Sequence, residues 1–263
     1  MKTIVITGST RGIGYALARS FLKRGNNVVI SGRKQNQVIV SVDRLQKEFS
    51  PENIAGYACD VGEFRQIENL WEASVKKFGS IDIWINNAGI SNTQNPPWAL
   101  PAEEIECVVR TNMLGEMFGT KIALTGFLKQ GYGALYNMEG MGAQRRRGVK
   151  GLSIYGATKA GLRYFNDAIF IEEVNEKIII GAIQPGMMLT EMITDQYLNR
   201  REDWEKVKGI FSVISEKPEI VAEWLSERIL NNSKNGARFT YGGILRMLSR
   251  LFNNQFRSRI KFI

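Results

Sequence analysis

The chain of 263 residues contains no histidine and only two cysteines, Cys59 and Cys107. Without imidazole, a Ser-His-Asp triad, histidine metal ligands and a histidine general base are all excluded. The two cysteines have no metal-ligand spacing and are too few for a disulfide framework, so we expect both to be reduced, as in the cytoplasm. Acid–base chemistry in this chain must therefore use tyrosine, lysine, aspartate, glutamate or cysteine.

Long apolar runs, internal repeats and linkers are also missing. No segment approaches the ~18 to 20 consecutive apolar residues of a spanning helix. The apolar run in the N-terminal "MKTIVITGST" is too short for a signal peptide and reads as a strand. The sequence predicts one cytoplasmic domain over residues 1–263, with no metal site.

Basic residues exceed acidic ones by nine. The tail 238–263 contains six basic residues and no acidic residue. The segment 244–252 places apolar residues on one helical face, with Arg246 and Arg250 beside them. This pattern indicates a solvated or subunit-interface helix, or alternatively peripheral membrane contact. We predict no nucleic-acid binding, because interleaved aromatics and a recognition motif are absent.

Short β-branched runs alternate with longer amphipathic stretches such as residues 64–78. This alternation predicts an α/β fold, a doubly wound parallel sheet of about seven strands with helices on both faces. The strands are expected at residues 3–7, 27–31, 53–58, 81–86, 133–138, 178–184 and near Ala237. The least regular region, 187–217, is a candidate substrate loop, since ligand sites lie at the carboxyl ends of parallel strands.

A glycine-rich loop, "TGSTRGIG" at residues 7–14, joins the first predicted strand to a helix. Gly8, Gly12 and Gly14 permit a sharp turn, close approach to a pyrophosphate, and tight packing of helix against strand. The strand before and the helix after make this a strong signal for a Rossmann-type dinucleotide site.

Further motifs follow in order: "NNAG" at 86–89, Asn112, the pair Tyr155 and Lys159, and "PGMMLT" at 185–190. With the Gly-x-x-x-Gly-x-Gly spacing, this series resembles the short-chain dehydrogenase/reductase family, up to about residue 240. The resemblance implies an oxidoreductase that transfers hydride between a nicotinamide and a carbonyl or alcohol. Members of the family are usually homodimers or homotetramers.

The sequence favours NADP(H) over NAD(H). Arg33 and Lys34 follow the second strand, where NAD-binding proteins of this fold carry an acid, and Arg11 adds a cation. The alternative interpretation is that Arg33 is a surface arginine that binds no ligand. The resemblance implies that Asp60 accepts a bond from the adenine amine, unless it only forms a turn, and that Thr190 binds the carboxamide. The predicted cofactor residues are Gly8, Ser9, Arg11, Gly12, Ile13, Gly14, Arg33, Asp60, Val61, Asn87, Ala88, Gly89, Tyr155, Lys159, Pro185, Gly186 and Thr190.

Tyr155 and Lys159 are one helical turn apart, so they share a face. We expect the ammonium to lower the pKa of the phenol from its usual value of ~10. The resemblance implies that Tyr155 exchanges the proton with the substrate oxygen and that Lys159 also holds the nicotinamide ribose. It further implies that Asn112 anchors a water in the proton relay.

The serine that polarises the substrate carbonyl in the family is missing. Gly140 stands three residues after Asn137, and Gly142 stands thirteen before Tyr155, the two places where it would align. Backbone N–H groups can serve as oxyanion donors, and losing one donor typically costs about a hundredfold or more in rate. Inactivity therefore does not follow.

Three stretches, "NMEGMG", "YGATKAGLRYF" and "PGMMLTEM", are similar to chlorophyll(ide) b reductases, which read Asn-Met-Asp-Gly-x-Gly in the first. The resemblance makes the glycine typical of that group and marks Glu139 and Gly140 as substrate-side residues. The cluster 145–147, three arginines, departs from the group and either binds substrate anions or is an exposed loop.

The leading hypothesis is an NADPH-dependent reductase of a small-molecule carbonyl, here a formyl group on a large apolar substrate such as chlorophyllide b. Reduction of small ketones or 3-oxoacyl compounds is one alternative. A non-catalytic NADP(H)-binding regulator is another, and it predicts cofactor binding without turnover.

Overall fold

The computed structural model describes residues 1–140, 143, 148–172, 175–197 and 201–242, with the backbone alone at 210 and 213. Three features of the sequence lie outside the described residues. They are the Gly142 position, the arginine cluster 145–147 and the tail from residue 243 onward, including 244–252.

The described residues form one sheet of seven parallel strands in the order β3-β2-β1-β4-β5-β6-β7. The order reverses between β1 and β4, and a crevice outside the carboxyl ends of the strands is expected there. The predicted Rossmann-type sheet is therefore confirmed. The strands are β1 (Thr3–Ile6), β2 (Asn27–Gly32), β3 (Ile54–Ala58), β4 (Ile83–Asn86), β5 (Gly133–Met138), β6 (Ile178–Gln184) and β7 (Ala237–Thr240).

Helices alternate with the strands and cover both faces. The region 187–217, expected to be irregular, is largely helical in its described part, and a π-helical turn, Arg110–Leu114, joins two helices. The α-helices are α1 (Gly12–Lys23), α2 (Gln35–Gln46), α3 (Phe64–Phe78), α4 (Ala102–Val109), α5 (Gly115–Gln130), α6 (Ser153–Ile169), α7 (Glu191–Thr194), α8 (Arg201–Ile214) and α9 (Pro218–Leu230).

Two apolar cores lie on opposite faces of the sheet. Ile4 and Ile6 of β1 point into the core covered by α1 and α9, whereas Val5 points into the core covered by α3 and α5. Side chains alternate between the faces of a strand, so a strand covered on both sides is apolar throughout. This explains the continuous run at the start of the chain and holds the strand ends in fixed positions.

Both cysteines are free, and Cys59 is buried. Burial, with the nearby charge of Asp60, raises the pKa of the Cys59 thiol to about 12, so this thiol stays protonated near neutral pH. Among the described residues, none of the helices has the length and apolar character needed to cross a membrane. The same residues hold no metal-competent cluster of three or more cysteine, aspartate or glutamate side chains.

Candidate active site

The glycine loop packs tightly on the segment that follows β4. Gly8 has a φ of +60°, and a Cβ on it would lie 2.7 Å from the Ala88 Cα. A Cβ on Gly14 would lie 2.5 Å from the Asn87 Nδ2. Only glycine fits both positions, one for its backbone conformation and both for space. The loop is thereby held where the strand order reverses.

In the described part of the chain, no side chain caps the backbone N–H groups at the start of helix α1. Its first turn carries no acid, and Arg11 at the N-cap makes no capping bond with its side chain. The orphan N–H groups and the helix dipole favour an anion at this end. The start of α1 is therefore suited to a phosphate group.

Two exposed cations flank this helix end. Gly32 and Thr10 are in contact, since a Cβ on Gly32 would lie 2.7 Å from Thr10 Cγ2. Arg33 and Arg11, the next residues in sequence, therefore lie on the same side of the glycine loop. Arg11 pairs with Asp195 at 3.3 Å, and Arg33 lies 3.9 Å from the Cys107 sulfur. Exposed ion pairs contribute little free energy, so neither contact prevents binding of an additional phosphate.

The crevice fits a dinucleotide in other respects as well. Among the described residues, the buried Asn87 Oδ1 atom has no hydrogen-bond partner, which leaves an acceptor at the crevice wall. Thr190 Cγ2 lies 3.8 Å from where a Cβ on Gly12 would be, so the segment after β6 faces the glycine loop. Three further predicted cofactor residues lie in the segments that follow the carboxyl ends of strands: Ile13 after β1, in the first turn of α1, Val61 after β3 and Pro185 after β6.

Three predicted cofactor residues make structural contacts instead of presenting free groups. The Ser9 hydroxyl donates to the Ile6 carbonyl at 2.6 Å and accepts from the Ser31 N–H at 2.9 Å. Asp60 accepts from the Gly62 N–H at 2.9 Å, which is the turn interpretation considered above. A Cβ on Gly186 would lie 2.7 Å from the Tyr241 carbonyl oxygen. Their direct binding of a cofactor stays a prediction.

Tyr155, Lys159 and Asn112 meet beside the crevice. Lys159 is buried, and its Nζ donates to the Met138 carbonyl at the end of β5, at 2.9 Å. A Cβ on Gly89 would lie 3.4 Å from Asn112 Oδ1 and 3.9 Å from Lys159 Nζ. Motifs that are far apart in sequence therefore converge.

The protonation of this pair differs from our expectation. Burial raises the pKa of Tyr155 to about 12 and lowers the pKa of Lys159. The expected lowering of the tyrosine pKa is therefore wrong for this structure. The ammonium donates to a backbone carbonyl, and desolvation of the phenolate dominates. Tyr155 is thus a proton donor across the neutral range.

Asn112 lies in the π-helical turn, a feature often found at functional sites. Its Oδ1 accepts from the Ile90 N–H at 2.8 Å, and its Nδ2 donates to the Ile90 carbonyl and to Thr158 Oγ1. The side chain therefore clamps the loop after β4 to α6. The predicted role of anchoring a water stays a prediction.

Asn92 is a functional residue that sequence reasoning missed. Helix α6 has no side-chain cap of its own, and Asn92 Oδ1 accepts the Tyr155 N–H at 3.0 Å from 63 residues away. Its Nδ2 donates to the Gly151 carbonyl at 2.9 Å. Asn92 thus acts as a remote cap that positions the first turn of α6. Caps are recognised by local spacing, so the sequence carried no signal for it.

Gly140, where a serine was expected, lies against the reactive groups. A Cβ at this position would be 2.5 Å from the Tyr155 hydroxyl oxygen and 3.1 Å from Lys159 Cε. At a distance below 3.0 Å, either the new Cβ or the atom it meets must move. The tyrosine hydroxyl therefore occupies space that any larger residue at 140 would need.

Glu139 lies in an ion-pair network. Its carboxylate accepts from Arg238 at 2.9 and 3.0 Å and from Gln184, and it lies 3.5 Å from Arg163. Asp167 joins both arginines. Buried carboxylates need such partners. These contacts give Glu139 a structural role, linking the end of β5 to β7, and its predicted substrate contact stays a prediction.

The fold and the site together define a dinucleotide-binding α/β protein with a tyrosine–lysine pair in which Lys159 is buried and Tyr155 is half-buried. A family model for short chain dehydrogenases matches residues 2–201, and the chain belongs to this short-chain dehydrogenase/reductase family. The identification made from the sequence motifs is thus confirmed.

Within the family, the chain is similar to particular reductases. The chain is 37% identical to a chlorophyll(ide) b reductase of Arabidopsis thaliana over 232 residues, 86% of this chain and 64% of that protein. It is 34% identical to a probable chlorophyll(ide) b reductase of the same plant over 256 residues, 91% of this chain and 50% of the relative. The chain thus spans about half to two thirds of these relatives.

Among solved structures, an actinorhodin polyketide ketoreductase variant with NADPH superposes with a TM-score of 0.82. It is 26% identical in sequence, and the match covers 93% of this chain and 97% of the other. The similarity in fold therefore extends over most of the chain.

Proposed function

We propose that this protein is an NADP(H)-dependent oxidoreductase that reduces a carbonyl group to an alcohol. The observation that carries the proposal is the meeting of Tyr155 and Lys159 beside the glycine loop, at the carboxyl ends of the central strands. Catalytic tyrosines act as general acids when a proton must reach the developing alkoxide. Family membership and the ketoreductase likeness support the same reaction class.

In the proposed reaction, each residue of the site has a part that follows from where it lies. The uncapped start of α1 holds the diphosphate, with Arg11 and Arg33 beside it, and Thr190 lies across the crevice. A bound nicotinamide supplies the hydride. Tyr155 donates the proton to the substrate oxygen, and Lys159, held on the Met138 carbonyl, would bind the nicotinamide ribose. Asn92 and Asn112 keep α6 in place during the reaction.

The proposed substrate is a formyl group on a large apolar ring, as in chlorophyllide b. The relatives with this activity in their names are 34% and 37% identical, and the expected glycine stands at 140. The helical segment after β6 carries an aromatic cluster, Tyr197, Trp204 and Phe211, with ring centroids 5.5 to 6.4 Å apart. Tyr197 reaches Gln94, in the loop that also carries the exposed Trp98. Aromatic surfaces of this kind suit a planar apolar ligand.

The purified protein is expected to oxidise NADPH in the presence of a formyl-bearing chlorin and to form the hydroxymethyl product. Product formation, followed by chromatography, would exceed that with small ketones or 3-oxoacyl thioesters under the same conditions. A higher kcat/KM for a 3-oxoacyl compound would favour the ketoreductase alternative. Tight NADPH binding without turnover of any carbonyl would favour a regulatory protein.

Cofactor preference tests the role of Arg33. We expect NADPH to be preferred over NADH, and Arg33→Ala to lower kcat/KM for NADPH by about 10- to 100-fold, since a charge-assisted hydrogen bond contributes ~1.5 to 3 kcal/mol. The value for NADH should hardly change. Arg44→Ala, an exposed arginine near the end of α2, is the matched control. Equal rates with NADH and NADPH in the unmodified protein would contradict this assignment.

We further propose a homodimer or homotetramer in the cytoplasm. The exposed apolar side chains of Tyr164 on α6 and Ile171 just beyond it, 78% and 85% accessible, support self-association. Light scattering of the purified protein would show its mass, and a monomer would contradict the proposal. Peripheral membrane contact concerns the tail beyond residue 242 and stays a prediction, which vesicle flotation would test.

A further inference from the structure

Glu139 is a buried carboxylate between two residues that contact the reacting pair. Its side chain is 0% exposed. The Met138 carbonyl, one residue earlier, accepts the Lys159 ammonium at 2.9 Å. A Cβ on Gly140, one residue later, would lie 2.5 Å from the Tyr155 hydroxyl oxygen. The place where this short segment meets α6 therefore sets the positions of both reacting groups relative to β5.

The Glu139 carboxylate also contacts α6, the helix that carries the pair. Arg163 Nη1 lies 3.5 Å from its Oε2, and Asn166 Nδ2 donates to its Oε1 at 3.4 Å. Arg163 and Asn166 are one and two helical turns beyond Lys159, so the three residues lie on one face of the helix. Polar contacts along two turns therefore hold α6 against the end of β5.

On the strand side, the same carboxylate joins the ends of β6 and β7. Arg238 of β7 donates to Glu139 Oε1 from Nε at 3.0 Å and from Nη2 at 2.9 Å. Gln184, the last residue of β6, donates to Oε2 and accepts from Thr240 at 2.8 Å. Asp167 of α6 accepts from Arg238 at 2.7 Å. One carboxylate thus links the last three strands of the sheet to the helix of the reacting pair.

Contacts of this kind fix a position more sharply than apolar packing does. The hydrophobic effect is non-directional, whereas an arginine that binds a carboxylate through two N–H groups adds geometric specificity. Buried ion pairs are weak evidence for stability, because apolar residues of the same volume often stabilise a fold as well. The value of the network around Glu139 therefore lies in where it holds α6.

We propose that Glu139 is a positioning residue that holds α6 where Lys159 reaches the Met138 carbonyl and Tyr155 lies against Gly140. This inference rests on the proposed function of the Tyr155 and Lys159 site. The carboxylate needs no contact with substrate for this role and transfers no proton. It acts through the helix.

Glu139→Gln tests the proposal, because glutamine keeps the shape and removes the charge that Arg163 and Arg238 share. A displacement of reacting groups by ~1 Å can cost about 10²-fold in rate, so we expect kcat for carbonyl reduction to fall about 10- to 100-fold. The KM for the carbonyl substrate should change little. Glu139→Asp keeps the charge and should recover most of the rate. Steady-state kinetics are measured at a temperature where circular dichroism shows each variant to be folded.

Glu48→Gln is the matched control. It removes a carboxylate that binds Arg19 of α1 at 2.8 Å on the protein surface, and kcat should stay unchanged. A lower thermal midpoint of Glu139→Gln with an unchanged kcat would show a merely structural role and would overturn the proposal. A higher KM with an unchanged kcat would show direct contact with substrate and would overturn it as well.

Arg163→Gln approaches the same contact from the helix. The Arg163 side chain is 27% exposed, so this variant should fold even where Glu139→Gln does not. We expect kcat to fall in the same direction. In the double variant with Glu139→Gln the loss should be smaller than the product of the two single losses, because residues in contact are not independent. Fully independent losses would refute the contact as the means of positioning.

Acetylation of Lys159 provides a readout that needs no turnover. The residue is 5% exposed, and its ammonium is bound to the Met138 carbonyl. In Glu139→Gln we expect acetic anhydride to modify Lys159 faster relative to the exposed Lys76, as measured by peptide mass spectrometry. An unchanged ratio would refute the positioning of Lys159. Absence of reductase activity in the unmodified protein would refute the proposed function alone, since faster acetylation would still show that Glu139 holds α6.

Discussion

Replacing Tyr155 with phenylalanine is expected to lower kcat for carbonyl reduction by about 10²- to 10⁴-fold while NADPH binding stays close to normal. The substitution removes only the hydroxyl, and the ring continues to fill the same space on α6. The Asn92 bond to the Tyr155 N–H involves the backbone and survives the change. Loss of the proton donor therefore affects the chemical step. Steady-state kinetics combined with fluorescence titration of NADPH would separate the two effects.

Tyr164→Phe is the matched control for this prediction. Tyr164 lies on the same helix, and its side chain is 78% exposed, so removal of its hydroxyl should leave kcat unchanged. A Tyr155→Phe variant with normal activity would show that another group supplies the proton. The buried Tyr136, whose pKa is raised to about 12, lies on β5 with its hydroxyl near Ile229 and Asn232, away from Lys159.

Restoring the serine that the family carries is expected to lower the rate, not to raise it. In Gly140→Ser the new Cβ would lie 2.5 Å from the Tyr155 hydroxyl oxygen and must displace it. Displacement of a reacting group by ~1 Å can cost about 10²-fold in rate. We therefore expect about a hundredfold lower kcat. Gly140 has an ordinary φ, so the thermal midpoint should change little.

Two further variants distinguish displacement from a change in hydrogen bonding. Gly140→Ala should lose as much activity as Gly140→Ser, because the clash comes from the Cβ that both introduce. Gly156→Ser on α6 is the control, since a Cβ there meets no atom within 4 Å. A Gly140→Ser variant as active as the unmodified protein, or more active, would show that the hydroxyl is accommodated and serves as an oxyanion donor.

Several features were predictable from sequence because local patterns encode them. The strands are buried on both faces and therefore read as short apolar runs, and α3 spaces its apolar residues for one side of the sheet. The glycine loop was recognisable because its backbone conformation excludes other residues at Gly8 and Gly12, both with positive φ. The helical content after β6 was missed although Glu202 and Asp203 lie in the first turn of α8, where acids favour the start of a helix.

Some site features depend on contacts between distant segments and have no local pattern. Asn92 caps a helix 63 residues away, and Glu139 is bound by Arg238, 99 residues further along the chain. The raised pKa of Tyr155 comes from burial, which the spacing to Lys159 did not reveal. Spacing identifies which groups share a helix face, whereas the pKa of each group depends on everything packed around it.

The sequence by itself determined the family, the parallel sheet and the identity of the tyrosine–lysine pair, since periodicity and glycine spacing act over short distances. Only the tertiary structure decided that Gly140 is required by the space next to the Tyr155 hydroxyl, and that Lys159 is buried with its ammonium on the Met138 carbonyl. Both depend on the packing of β5 and α6 against each other. Desolvation and exclusion of volume arise from that packing and not from any single segment.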